Sequence, residues 1–381
     1  MIDIDSMIVE LKPEEFPGIQ HLFPDVHLRL MIDGMVAGNS PARVWTDDAG
    51  RPRSAYIWDN RYCHYLAGSD RNETFNGSVA RLLEEEIKPE VLSQGRRIYK
   101  VYYTPSSWEK IAVRILDEVL PIRAKRCLYR FEKQSVPGSA YETPPGFLLA
   151  PIDGKLLADR TLGNVEDVTS EINSCWSSIE AFLENGFGFC VRNREEIACW
   201  CTAEYVSEGK CGIGVETVEG YRKRGFASLA TSALVEHCIE SGIAAHWDCW
   251  ADNVPSVKTA ESLTFTKIMD YNALLGSFDE FEGLIIRAND LYRRGEYRES
   301  ARAHEKALRI VGQEAEPYFF YNAACALAKA GETERALMNL EIAVKRGWKD
   351  LQRLESSETL EPLRGSGRWR RLIASLEAQN A

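Results

Sequence analysis

The segment TVEGYRKRGFASLA, Thr217 to Ala230, gathers Arg222, Lys223 and Arg224 directly ahead of Gly225 and a helix-forming run. Residues of these types in this order can bind an anion. The first turn of a helix leaves backbone N–H groups without partners, and the helix dipole adds positive potential there. Glycine at 225 lets the backbone approach a ligand closely, and Ala227 keeps the next turn clear. The ligand that suits Arg222, Lys223, Arg224, Gly225, Phe226, Ala227 and Ser228 together is a pyrophosphate. A solvated basic turn is the bland alternative, and the flanking elements decide between the two.

Those elements are legible. KCGIGVETV (210–218) reads as a strand. From Arg224 to Ser241, Phe226, Leu229, Ala230, Ala233, Leu234, His237 and Cys238 recur at helical spacing, and Gly242 ends the run. GFGFCVRN (186–193) and EIACWCTAEYV (196–206) precede it as a hairpin. AAHWDCW (244–250) is a further strand, Asn253 to Leu263 a short helix and FTKIMDY (265–271) a last strand. The order is β-β-β-α-β-α-β. The first 140 residues repeat it faintly: PARVWTD, SAYIWDN and RYCHYLAG, a helix from Ser78 to Leu92, RRIYKVYYT, a helix from Ser106 to Leu120, and RCLYRFEK. That copy has nothing like RKRGFA. The proline-rich span VPGSAYETPPG (136–146) is the expected linker.

Arg222-x-x-Gly225-x-Ala227 resembles the (Gln/Arg)-x-x-Gly-x-(Gly/Ala) signature of the GNAT acyltransferase superfamily, over about Phe147 to Tyr271. Asn253 and Ser256 open the next helix as in that family, and AESLTF (260–265) resembles its AEKLGF. The branch most similar is the zwittermicin-resistance type, which also puts a divergent domain ahead of the catalytic one. The resemblance implies an α/β, mixed-sheet fold, here duplicated. It also implies transfer of acetyl from acetyl-CoA to an amine that attacks the thioester directly. Thr217 and Val218 would hold the pantetheine, residues 222–228 the pyrophosphate, and Asn253 and Ser256 would meet the coenzyme from the next helix. A backbone N–H near Thr217 would polarise the thioester oxygen. Glu216, Glu219 and Asp248 are the candidate bases, with Glu216 and Asp248 preferred as catalytic residues. Two departures stand out. Thr264 replaces the usual glycine, and Ala260 stands where many relatives carry a tyrosine that protonates the departing thiolate.

The whole chain limits the partners. A net charge of −11 and a pI of about 5.3 disfavour nucleic acid, whose phosphates need a basic face. No apolar run approaches the roughly 20 residues that span a bilayer, so no membrane partner is expected, and MIDIDSMIVELKPEEF has no signal-peptide core. Ten scattered cysteines with no CxxC fit a reducing cytoplasm. Cys199 and Cys201, flanking Trp200, read as buried small side chains, and no metal is expected. Core packing is the expectation for Trp247 and His237, and a structural role for His64; His246 stays open between structural and catalytic readings. Glu84, Glu85 and Glu86 read as a wet helix face.

An internal repeat closes the chain. Ala288, Leu291, Gly295, Ser300, His304 and Ala307 fall on Ala324, Leu327, Gly331, Ala336, Leu340 and Ala343 at a constant offset of 36. The pattern resembles tetratricopeptide repeats, whose period is about 34, lengthened here by VGQEAEP. The tail SSETLEPLRGSGRWRRLIASLEA reads as a capping helix with Trp369 and Leu372 turned inward. The expected domains are therefore 1–140, a degenerate first copy; 141–278, the catalytic copy; and 279–381, an all-α repeat. The expected acceptor is a small-molecule or peptide amine. A scaffold is the rival reading: inert acyltransferase-like domains with a partner protein bound through the repeats.

Overall fold

The computed structural model describes residues 8–116, 121–135, 143–312 and 315–380. The opening residues of the chain, the first part of the expected linker (136–142), the end of the helix expected to reach Leu120, and Gln313-Glu314 of VGQEAEP lie outside that set.

In chain order the first half carries β1 (Val9–Leu11), a 3-10 segment (Pro13–Leu22), α1 (Val26–Val36), β2 (Arg43–Thr46), β3 (Ser54–Trp58), β4 (Cys63–Gly68), α2 (Glu73–Leu82), α3 (Lys88–Ser93), β5 (Ile98–Thr104), α4 (Trp108–Ile115) and β6 (Ile122–Arg130). The second half carries β7 (Leu148–Pro151), α5 (Gly154–Ala158), α6 (Val165–Cys175), α7 (Ile179–Asn185), β8 (Gly188–Arg192), β9 (Ile197–Ser207), β10 (Lys210–Thr217), α8 (Phe226–Glu240), β11 (Ala244–Trp250), α9 (Val254–Ser262) and β12 (Thr266–Ser277). The spacing missed α1 and α5 to α7. The helix expected over Ser78 to Leu92 starts earlier, where Asn72 accepts the Phe75 N–H, and a π turn at Leu83–Ile87 interrupts it. The widened turn keeps Leu83 and Ile87 buried while Glu84, Glu85 and Glu86 face water.

The strands form one mixed sheet in the order β1-β2-β3-β4-β5-β12-β6-β11-β10-β9-β8-β7. Two neighbouring pairs, β4–β5 and β10–β11, are parallel, and each is joined through helix, as parallel strands require a long crossover. The final strands are exchanged: β6 pairs with β11, and β12 lies between β5 and β6. The two halves therefore share one sheet.

β9 shows how the layers form. Cys199, Cys201 and Ala203 point to the face covered by α8 and α9, where Phe226, Leu234 and Trp247 complete a core. Trp200 points to the other face and packs with Val168 and Ile172 of α6. Burying each such large side chain is worth about 1.5–3 kcal/mol. α8 buries Phe226, Leu229, Ala230, Thr231, Leu234, Val235 and Cys238. Thr231 and Val235 thus replace Ala233 and His237, which are half-buried; the His237 ring lies 4.4 Å from that of Phe187. All ten cysteines are free thiols, and Cys199 and Cys201 are buried as expected.

The chain folds as two compact units, and the second begins at Leu275 with the segments 88–99 and 116–122 added. It contains α10 (Glu280–Arg293), α11 (Tyr297–Val311), α12 (Pro317–Lys329), α13 (Thr333–Lys345), α14 (Leu351–Ser356) and α15 (Gly367–Asn380). α10 packs on α11, α11 on α12, α12 on α13 and α13 on α15. Ala288, Ser300, His304 and Ala307 are buried, as are Ala324, Ala336, Leu340 and Ala343. Ser300 Oγ donates to the Ala288 carbonyl at 2.8 Å, tying α10 to α11. Trp369 and Leu372 of α15 are buried in a core with Leu340 and Val344.

Candidate functional site

β10 ends at Thr217, a single 3-10 turn (Glu219–Tyr221) follows, and α8 begins behind Gly225. Gly225 has φ 81°, a left-handed conformation that glycine adopts without the penalty of about 1–2 kcal/mol carried by other residues. The first intrahelical bond runs from Leu229 N–H to the Gly225 carbonyl at 3.0 Å. The N–H groups of Phe226, Ala227 and Ser228 are therefore first-turn donors that the helix itself does not use. Phe226 is buried, and its ring lies 4.8 Å from that of Phe147, which fixes the start of the helix. Arg222, Lys223 and Arg224 are all exposed beside it. Arg222 Nε donates to the Thr217 carbonyl at 3.3 Å, and the Arg224 guanidinium lies 5.6 Å from the Tyr221 ring.

β10 and β11 pair only through Lys210–Gly212 and Ala244–His246. Beyond that rung β10 stays with β9, and β11 stays with β6, so the parallel pair is split. Val218 N–H donates to the Ala198 carbonyl at 3.0 Å, which fixes the alternation: residues 214, 216 and 218 turn their backbone groups to β9. The backbone N–H and carbonyl groups of Ile213, Val215 and Thr217 then face the split. An extended, amide-bearing ligand can pair with such an edge as a strand would.

The sheet face opposite α8 carries a cavity of about 320 Å³ lying wholly within the sheet unit. Glu204 of β9 and Glu171 of α6 converge there on Gly214. A Cβ on Gly214 would meet Glu204 Oε1 and lie 3.3 Å from Glu171 Oε1, so glycine lets both carboxylates rest on the strand where a larger residue would push the Glu204 carboxylate aside. Burial pushes the Glu204 carboxyl up to about 8, helped by the Glu171 charge and opposed by Lys100. Burial also raises Glu171, with the Glu216 charge adding to it. Asp59 accepts the Arg61 and Cys63 N–H groups at 2.8 and 2.9 Å, yet burial raises its carboxyl as well.

Across the cavity, Arg126 Nε donates to Asp248 Oδ1 at 2.9 Å and to Tyr271 Oη at 3.1 Å, and Tyr271 donates to Asp248 Oδ2. The Arg126 guanidinium lies 4.4 Å from the Trp250 ring. His27 of α1 stacks at 4.1 Å on Tyr271; burial lowers its pKa, so the ring is neutral, and its Nδ1 has no partner.

A family model described as GNAT acetyltransferase matches residues 20–274. The chain belongs to this family. An uncharacterized N-acetyltransferase of Bacillus subtilis, YdfB, is 23% identical over 266 residues, covering 70% of this chain and 97% of its own. Among solved structures, a GCN5-related N-acetyltransferase-like protein from Streptococcus suis aligns with a TM-score of 0.49 at 18% identity, over 69% of this chain and 98% of its own. A GCN5-related N-acetyltransferase from Sphaerobacter thermophilus gives 0.48 at 14% identity, over 71% and 96%. The GNAT match takes in both halves of the shared sheet, β2 to β6 as well as β7 to β11.

The residues singled out from sequence fall into three groups. Thr217, Val218, Arg222, Lys223, Arg224, Gly225, Phe226, Ala227 and Ser228 lie together around the β10 end and the α8 start. Asn253 and Ser256 begin α9, but both are engaged locally: Asn253 Oδ1 accepts the Ser256 N–H at 3.3 Å, and Ser256 Oγ accepts from Trp247 Nε1 at 3.1 Å. Glu216 and Asp248 share the cavity-side sheet face by alternation; Glu216 is exposed, and Asp248 is held by Arg126 and Tyr271. His246 is buried with Nδ1 3.2 Å from the Ala244 carbonyl, and burial lowers its pKa. His64 is buried against Tyr56 Oη at 2.7 Å. Ala260 is fully buried in the core. Thr264 has φ 63°, which explains the glycine usual at that position. Sequence reading missed Glu171, Glu204, His27, Arg126 and the bond of Tyr271 to Asp248. A signal existed for one of them: Glu204 is the sole carboxylate inside β9, a strand otherwise apolar or neutral.

Proposed function

We propose that this GNAT protein is an acyl-CoA-dependent N-acetyltransferase that moves acetyl from acetyl-CoA to an amine. The split between β10 and β11, ending at the unused amides of α8, carries this reading. The pantetheine amides would pair with Val215 and Thr217, Val218 would flank that arm, and residues Arg222 to Ser228 would hold the pyrophosphate. The thioester oxygen would take a backbone N–H of β10. Asn253 and Ser256 would border the coenzyme from α9, contributing through α9's position more than through side chains already bonded within it. The amine would approach from the cavity face, where Glu216 and Asp248 lie. The ion pair with Arg126 argues that Asp248 shapes this wall and leaves proton removal to another carboxylate.

The repeated strand order and the two parallel joints support a duplicated fold, with 1–140 as the degenerate copy and 141–278 as the catalytic one. A divergent first half also fits the zwittermicin-resistance type. In 279–381, matching burial at the 36-residue offset supports a tetratricopeptide-like array; we propose it as a site for a protein partner. Ten free thiols fit a reducing cytoplasm.

Titration calorimetry with acetyl-CoA tests the reading. Gly225→Glu places a carboxylate where the diphosphate would sit and forces a side chain into φ 81°. Affinity should fall at least tenfold. Absent heat with the native chain, or unchanged affinity in the variant, refutes the coenzyme site.

A further inference from the structure

We propose that Glu204, positioned by Glu171 over Gly214, is the base that takes the proton from a small cationic amine, and that this acceptor bears no carboxylate of its own. The proposal rests on the acetyltransferase reading above and names the acceptor side of the same site.

Position is the first argument. Glu204 stands opposite Gly212 in the β9–β10 register, two residue pairs from Gly214. Gly212 is also the last residue of β10 still paired with β11. The carboxylate therefore sits at the apex of the split, on the acceptor face, beside the edge that would carry the thioester. The missing side chains at 212 and 214 leave room that Leu30 and the two carboxylates fill, so Glu204 lies directly on β10. Glu216 lies further along the same face and is exposed, and Asp248 is taken by Arg126 and Tyr271.

Charge is the second argument. The cavity is lined by the carboxylates Asp59, Glu171, Glu204 and Asp248 and by the cations Lys100 and Arg126. Arg126 is cancelled by Asp248. Of the lining residues, three carboxyl groups then face Lys100 alone; burial holds protons on them, and an entering ammonium favours their ionised form where a second carboxylate would oppose it. Cys175 beside Glu204 has its thiol pushed up by burial, so it stays protonated; Tyr205 likewise stays neutral. The third argument is independent of the acidic groups. His27 lines the cavity, is 93% buried and has an Nδ1 without a partner. Turning the ring toward a polar ligand in the cavity would give that atom the partner that burial denies it. The volume lies at the low end of small-ligand sites, about 300–1,000 Å³, which suits a small amine.

The proton balance is complete. An ammonium bound between the two carboxylates gives one proton to ionised Glu204 and becomes a free amine. Its nitrogen forms the C–N bond to the acetyl carbon, and the C–S bond then breaks. The second nitrogen proton ends on the coenzyme sulfur, giving free thiol, while Glu204 returns its proton to water. Burial that raises Glu204 brings it nearer to the pKa of an amine and improves the transfer.

Butylamine, putrescine and aminobutyrate of matched chain length, each with acetyl-CoA and the full chain, test the claim. Butylamine and putrescine should be acetylated, and aminobutyrate at least tenfold more slowly in kcat/KM. Glu204→Gln should lower kcat about a hundredfold or more and remove the acid limb of the kcat/KM pH profile. Glu171→Gln should move that limb to lower pH, because one repelling charge is gone. Unchanged acetyl-CoA affinity in both variants shows that they are folded. Turnover by Glu204→Gln within threefold of the native chain overturns the base assignment. Preference for aminobutyrate, or acetyl-CoA binding with no amine acetylated, overturns the acceptor class. Failure of the native chain to bind acetyl-CoA would instead overturn the acetyltransferase reading beneath it.

Discussion

Replacing Glu204 by glutamine should stabilise the sheet unit in alkali, by an amount that follows from its burial. The carboxyl titrates near 4.5 in an unfolded chain and is pushed up to about 8 in the fold. A group whose folded pKa is raised contributes stability that is full below the unfolded value and lost as pH rises through the folded one. Ionising Glu204 in place therefore costs about 5 kcal/mol at most. Part of that cost is repulsion from Glu171, which can relax by holding the proton itself, so about 2–3 kcal/mol is the expected difference. Glutamine has nearly the same shape and cannot ionise. Urea denaturation followed by tryptophan fluorescence suits the measurement, because Trp45, Trp58, Trp108, Trp176, Trp200, Trp247 and Trp250 all lie in the sheet unit. Native chain and variant should differ little near about pH 5, and the variant should gain steadily up to about pH 9. A difference that is constant across this range, or a gain confined to acid, would refute the buried-carboxylate argument.

Asp248→Asn should cost about 3 kcal/mol of stability, because it leaves the Arg126 guanidinium buried without its counter-charge. If stability holds while acetylation disappears, Asp248 is the base and the ion-pair argument fails. Thr264→Gly should stabilise the chain by about 1 kcal/mol, since it relieves a β-branched residue at φ 63° and removes a hydroxyl with no partner. Thermal unfolding reads it, and a lower midpoint would mean that the threonine methyl packs more favourably than its backbone is strained.

Some of this protein is written locally. The turn proposed to bind a diphosphate needs only a strand, three cations, Gly225 and a helix in succession, all within Thr217 to Ala230. The helical repeat is equally local, because each pair of helices meets through small residues at fixed spacing, as Ala288 and Ser300 do. Backbone propensity and short-range periodicity encode such features directly. The cavity proposed for the acceptor is of another kind. His27, Asp59, Lys100, Arg126, Glu171, Glu204 and Asp248 come from seven separate stretches. Nothing in the spacing of Glu171 and Glu204 announces that α6 lies across β9, or that the two carboxylates meet over Gly214. The exchange of β6 and β12 sets Arg126, 122 residues from Asp248 in the chain, and Tyr271, 23 residues from it, on the two strands next to β11 in the sheet order. Pairing between strands so distant in the chain depends on the whole packed sheet, and so does the desolvation that raises Glu204. Sequence alone determined the strand, turn and helix proposed to hold a diphosphate; only the tertiary structure decided which carboxylates line one cavity.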